Sequence, residues 1–140
     1  MNAKILSWNV KGLNERDKRL QVRNLLKFWG ANVVCLQETK LYLITRAIVR
    51  SLWCIHHIDW LYLGLIGASG GILIMWDTQV VAKIDDAIGY YSVFCKFQNV
   101  LDEWEWAFSG VYGPQYDMER LLMWEELAGV AGWWGVLLGV

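Results

Sequence analysis

The chain has 140 residues, 56% hydrophobic and 19% charged, with a formal net charge of −1. That length suits one domain spanning 1–140 and is too short for two. A balance so near neutral excludes a global basic surface for nucleic acid, and one proline without Ser- or Gln-rich tracts argues against disorder.

Residues 4–8 have β-like composition and lead into a loop over 9–14. Asn14 suits a helix N-cap, with Asp17 three residues on as a weak variant of the capping box. Val22, Leu25, Leu26 and Trp29 follow at i, i+3, i+4, i+7 spacing and predict one apolar helix face. Gly30 stands where a glycine ends such a helix. Val33, Val34, Cys35 and Leu36 form a continuous apolar run, as in a strand covered on both faces. The opening is therefore a β–α–β unit with parallel strands and a right-handed crossover.

A second helix is expected over 43–53, after which the pattern changes to period two with glycine punctuation. Strands are expected over 60–63, 71–76, 80–85, 92–97 and 105–111. Val93, Cys95 and Phe97 alternate with Ser92, Phe94 and Lys96, and Trp104, Trp106 and Phe108 alternate with Glu105, Ala107 and Ser109. The charge-free run 60–76 contains Gly64, Gly67, Gly70 and Gly71, so it reads as two strands joined by a glycine loop rather than a membrane helix. Asp117 opens a final helix with Leu121, Leu122 and Ala128 on one side. The apolar stretch 127–140 is broken by four glycines and is too short to span a bilayer. The fold class is α/β with a mixed sheet and antiparallel hairpins.

Three cysteines, Cys35, Cys54 and Cys95, make an odd count without a C-x-x-C pair, which suits a reducing compartment and idle thiols. The first strand-like segment begins almost at once and leaves no room for a signal peptide. Ten tryptophans cannot all be buried in so small a core, so some are expected to face a partner surface. From Lys11 to Arg23, five bases (Lys11, Arg16, Lys18, Arg19, Arg23) outnumber the acids Glu15 and Asp17. Such an arm beside a site can steer a phosphate backbone, and it equally suits a solvated helix face.

Asn9 follows the first strand and Glu38 the second. In a parallel pair both strands point the same way, so their carboxyl ends lie together, at the edge where open α/β sheets form ligand crevices. A carboxamide and a carboxylate there can share one hard cation, since Mg²⁺ takes only one or two protein carboxylates and completes its shell with water and phosphate. The same residues also suit a turn former and a surface acid. His56 and His57, near Cys54, lack zinc-ligand spacing. Asp85 and Asp86, adjacent on a strand, point to opposite faces and cannot grip one ion together.

Ser7-Trp8-Asn9-Val10-Lys11-Gly12-Leu13, then Leu36-Gln37-Glu38-Thr39-Lys40, then Gly110-Val111-Tyr112-Gly113-Pro114 resemble, in order, the first three motifs of the endonuclease/exonuclease/phosphatase family. Gly67-Ala68-Ser69-Gly70-Gly71-Ile72-Leu73 and Trp124-Glu125-Glu126-Leu127 are similar to its plant LINE-type retrotransposon branch. The resemblance implies a partial four-layer α/β/β/α sandwich, mainly one sheet with its covering helices. It implies that Asn9 and Glu38 bind Mg²⁺ (or Mn²⁺), weakly, and that Tyr112 contacts the scissile phosphate near the leaving side. Lys40 would neutralise phosphate charge, and Ser69, Gly70 and Gly71 would form a loop allowing close backbone approach, although a hairpin turn explains those glycines as well.

Relatives in that family carry a Gly-Asp-x-Asn segment after the last helix and an Asp-His pair near the domain's end. Neither is found here, and Gln115 stands where a shorter Asn or Asp is usual. The expectation is therefore a DNA endonuclease fragment of retrotransposon origin, weakly active or inactive, with DNA as partner, no membrane association and an intracellular (nuclear or cytoplasmic) location. The alternatives are a non-catalytic remnant or interaction module, and a phosphoesterase of another branch. A sheet face left uncovered would make the chain self-associate.

Overall fold

A computed structural model describes residues 3–65, 70–113 and 117–134. The elements run β1 (Ile5–Asn9), α1 (Arg16–Trp29), β2 (Val33–Gln37), α2 (Arg46–Leu52), β3 (Ile58–Leu63), β4 (Ile72–Asp77), β5 (Val81–Ile88), β6 (Ser92–Asn99), β7 (Glu105–Val111) and α3 (Asp117–Trp134). They form a four-stranded sheet, β1-β2-β4-β3, and a three-stranded sheet, β5-β6-β7. Only β1 and β2 pair in parallel; every other described pairing is antiparallel.

The opening unit forms much as its pattern predicts, with differences at the caps. Gly30 ends α1 in the left-handed region at φ 63°, its N–H reaching Leu26 O. The N-cap is Glu15, which makes no side-chain cap bond. Asn14, expected there, donates its Nδ2 instead to Lys40 O at 3.0 Å, a long-range tie that outcompetes the local cap. Val22 and Leu26 are buried, but Leu25 and Trp29 are 40% and 58% exposed, because the short sheet beneath accepts only a narrow stripe of the helix. Helix α2 is shorter than expected. Thr45 caps it with a side-chain bond from Ile48 N, and Trp53 is already extended.

Strand alternation divides the core. Val34, Leu36, Leu73 and Met75 pack under the helices with Val22, Leu26, Val49 and Leu52. Val33, Cys35, Ile72, Ile74 and Trp76 face the other way, onto Val81, Val93, Cys95 and Phe97 of the second sheet. Phe94, on the outer face of β6, meets Met123 and Leu127 of α3. Burying each such side chain contributes roughly 1.5–3 kcal/mol.

The layers are thus helix, sheet, sheet, helix, with more strands in the first sheet than in the second. The inner face expected to lie bare is covered by β5–β7, since the alternation of Val93, Cys95 and Phe97 supplies a matching apolar surface. The α3 face also differs from expectation. Met123, Leu127 and Ala131 are buried, whereas Leu121, Leu122 and Ala128 are exposed. Tryptophan behaves as its size dictates: Trp53 and Trp76 are buried, Trp29, Trp104 and Trp124 exposed. No helix among the described residues is long and apolar enough to cross a membrane.

Candidate active site

Strands β1 and β2 end level, with Asn9 opposite Gln37. The two chains stay together beyond the sheet: Val10 N donates to Gln37 O at 3.0 Å, Gly12 N to Glu38 O at 2.7 Å and Leu13 N to Thr39 O at 2.9 Å. Asn9 and Glu38 therefore leave the same edge of the sheet side by side, as the parallel unit requires.

Three non-glycine residues around this edge, Lys11, Glu38 and Lys40, have φ of 54–55°. That left-handed region is sparsely populated for residues with a Cβ, and it persists only where neighbours over-determine it. Here they do. Lys40 N donates to Gly70 O at 2.7 Å and Thr39 N to Gly71 O at 3.3 Å. The two glycines permit that approach: a Cβ on Gly70 would lie 3.3 Å from Glu38 Cα, and one on Gly71 (φ 92°) 2.3 Å from Thr39 Oγ1. The glycines thus support the Glu38 backbone rather than simply reversing the chain.

Asn9, Gln37, Glu38, Gly71, Ile72, Val111, Tyr112 and Gly113 line one cleft of about 260 Å³. Asn9 Oδ1 accepts a bond from Lys11 N at 3.1 Å, which orients the amide and leaves one acceptor lone pair. Among the described residues no hydrogen bond or ion pair engages the Glu38 carboxylate, and no three His, Cys, Asp or Glu side chains are grouped to hold a metal. One free carboxylate beside one oriented amide oxygen fits a hard cation that keeps most of its own water, as Mg²⁺ does.

The opposite wall comes from the second sheet. Gln37 Nε2 donates across the cleft to Val111 O at 3.4 Å. Below it Gly110 brings the sheets together, since a Cβ there would lie 2.7 Å from Ile72 Cγ2 and 2.9 Å from Cys35 Sγ. Tyr112 N donates to Tyr91 O at 2.6 Å, and the two rings stack with centroids 6.5 Å apart and planes 7° from parallel. Partial burial, then the charges of Glu119 and Glu126 and the neighbouring Tyr112, push the Tyr91 hydroxyl above its ordinary pKa.

Lysines flank the cleft. Lys11, Lys18 and Lys40, with Gly12, Asn14 and Glu15, line a second cavity of about 300 Å³, and Lys18 Nζ lies 5.8 Å from the centre of the Trp8 ring. The structure therefore brings Asn9, Glu38 and Tyr112 into one cleft, with Gly70 against Glu38 and Lys40 lining the second cavity. Ser69 and Gln115 lie outside the described residues. His56 lines a separate cavity with Arg23, Arg50 and Cys54. Asp85 and Asp86 part as expected, the first accepting from Trp134 Nε1 and the second pairing with Lys83. Sequence reasoning missed Gln37 and Tyr91. Gln37 ends its strand just before Glu38, which was a usable signal; Tyr91 sits in a hairpin turn and offered none.

Comparison with known proteins agrees with this geometry. The pattern defining the endonuclease/exonuclease/phosphatase family matches residues 6–133. None of the curated proteins compared matches the chain in sequence. Among solved structures, the human Nocturnin catalytic domain with bound sulfate is similar at TM-score 0.70 and 10% identity, over 96% of this chain and 61% of that one. An endonuclease/exonuclease/phosphatase family protein from Bacteroides thetaiotaomicron is similar at TM-score 0.64 and 11% identity, over 92% and 59%. The AP endonuclease from Leishmania major is similar at TM-score 0.60 and 16% identity, over 86% and 43%. The chain thus spans about three-fifths of the first two and less of the third. With two stacked sheets, a cleft at the tips of its parallel strands and a family match across nearly its whole length, this chain belongs to the endonuclease/exonuclease/phosphatase family.

Proposed function

We propose that the chain carries the metal- and phosphate-binding part of a Mg²⁺- (or Mn²⁺-) dependent phosphodiesterase that acts on DNA. In this reading it descends from the endonuclease of a plant LINE-type retrotransposon and nicks DNA weakly or not at all on its own. The observation that carries the reading is the convergence of Asn9, Glu38 and Tyr112 on one cleft.

Each residue then has a role its chemistry suits. Glu38 and Asn9 hold the cation. A divalent ion bound there supplies Lewis-acid stabilisation of a phosphodiester oxygen. Tyr112 donates its hydroxyl to the scissile phosphate near the leaving side, and Lys40 neutralises phosphate charge. Gly70 belongs to the substrate side, and Ser69 is assigned the same role. Lys11 and Lys18 extend the positive strip beyond the cleft, an arrangement suited to a continuous sugar-phosphate backbone rather than a lone phosphate. The fold likeness to an AP endonuclease is consistent with DNA as substrate, and a chromosomal substrate implies an intracellular, nuclear setting.

The weak activity follows from the cleft's composition. Its described lining holds one carboxylate and neither histidine, and an absent general base typically costs about 10²–10⁴-fold.

A second reading, a non-catalytic module that self-associates or binds a partner, is favoured by one observation. Met118, Leu121, Leu122 and Trp124 all lie exposed along α3, at 51–73%. A supercoiled-plasmid nicking assay in Mg²⁺, comparing the natural chain with Glu38→Ala, separates the readings. Slow nicking that Glu38→Ala abolishes supports the phosphodiesterase. Equal nicking by both removes Glu38 from the reaction; if neither nicks, Mn²⁺ binding that Glu38→Ala weakens supports the metal-binding reading, and Mn²⁺ binding that it leaves unchanged favours the binding module.

A further inference from the structure

The Glu126 side chain, on α3, reaches the turn between β5 and β6 and accepts three hydrogen bonds there: from Tyr90 N at 2.6 Å, Tyr91 N at 3.0 Å and Ser92 Oγ at 2.6 Å. The turn is closed by Gly89 N donating to Ser92 O at 2.9 Å. Gly89 makes room for the carboxylate, since a Cβ on it would lie 2.2 Å from Glu126 Cδ and Oε1. Bonds to an ionised acceptor are shorter and roughly twice as strong as neutral ones, so three on one carboxylate fix this turn firmly to the helix.

The turn does not end there. Tyr91, whose N–H Glu126 holds, offers its carbonyl to Tyr112 N and stacks its ring on Tyr112. Tyr112 lines the reaction cleft. An unbroken series of short contacts therefore runs from α3 through Glu126 and Tyr91 to the wall facing Asn9 and Glu38.

We propose that Glu126 is a positioning residue for the cleft: it sets the Gly89–Ser92 turn, and through Tyr91 that turn sets the ring of Tyr112. The effect on catalysis rests on the role given to Tyr112 above; the effect on ring position does not. Glu125, the neighbouring carboxylate, is exposed and takes no part.

The test uses the full chain with ¹³C-labelled tyrosine, the Tyr91 and Tyr112 ring signals being assigned by Tyr→Phe substitution. Glu126→Ala is expected to shift and broaden both signals while the amide signals of β1 and β2 stay in place, and Glu125→Ala is expected to change neither. Should Glu126→Ala not fold, Glu126→Gln, which weakens the acceptor, and Ser92→Ala, which removes one of its three donors, are expected to give smaller shifts in the same direction. Unchanged Tyr112 signals in the folded variants, with only a lower melting temperature, would overturn the proposal and leave Glu126 as a clasp for α3. Where the natural chain nicks plasmid measurably, Glu126→Gln is expected to lower kcat by about 10–100-fold with KM little changed, the size of effect a small misplacement produces. A shifted ring with undiminished nicking upholds the positioning and instead removes Tyr112 from the proposed reaction.

Discussion

At the residue scale, the site is held by backbone that its side chains do not advertise. Nothing in the letters Lys11, Glu38 and Lys40 indicates a positive φ; the conformation is imposed by the Gly70–Gly71 segment and the paired 9–13 and 37–39 chains. The shared position of Asn9 and Glu38 at one sheet edge was legible, because strand polarity alone puts two successive parallel ends together. The close approach at Gly70 was implied by the resemblance alone and its own pattern suits a turn as well, since its approach to Glu38 is a long-range contact. The thiols give a sharper test of residue environment. Burial pushes Cys35 and Cys95 to pKa values of about 12, whereas Cys54 is exposed. A raised thiol pKa keeps the group protonated and unreactive at pH values well below it. At pH 8 the folded chain is therefore expected to release colour from one thiol with a disulfide reagent, and from three after unfolding. Three fast thiols in the folded chain would show that the inter-sheet core opens.

Elements were legible in proportion to how far local pattern decides them. The period of β6 and the apolar run of β2 found their strands, because both reflect burial along a single element. The buried face of α3 was not legible. This helix carries apolar residues on several sides, and polar anchors choose among them: Glu126 binds the β5–β6 turn and Trp134 Nε1 donates to Asp85 at 3.0 Å. If that docking is right, Met123→Ala costs about 2–5 kcal/mol in urea unfolding, while Leu121→Ala stays within about 0.5 kcal/mol. The reverse ranking would mean the helix docks on its other face. Gly110 tests the fit of sheet on sheet. Alanine there meets Ile72 and Cys35 at under 3 Å, so Gly110→Ala is expected to cost about 1–3 kcal/mol as overpacking does, and to disturb Tyr112 two residues on. A neutral substitution would show that the sheets have slack beneath the cleft.

Across the whole molecule, the alternation of β5–β7 signalled a second apolar surface, but which sheet it joins depends on pairings between residues far apart in sequence, which no local pattern encodes. The result is a sandwich whose inner face is filled: β7 lies over β2 and β4, and β6 over β3 and β4. The sheet face expected to drive self-association is thus covered, and the proposed association surface is instead the exposed apolar residues of α3. Sedimentation velocity is expected to show more monomer in a Leu122→Glu, Trp124→Glu variant, and an unchanged distribution would locate any association elsewhere. The two layers fix the tips of β1 and β2 opposite the end of β7, the arrangement on which the proposed sharing of one ion by Asn9 and Glu38 depends. The most direct measurement is a Mn²⁺ titration followed by electron paramagnetic resonance. The natural chain is expected to bind one ion at the cleft, with Glu38→Ala weakening it by about 10–100-fold, at least the loss seen when a ligand's supporting partner is removed, and Glu125→Ala leaving it unchanged. Equal Mn²⁺ affinity in the natural chain and Glu38→Ala would contradict the account.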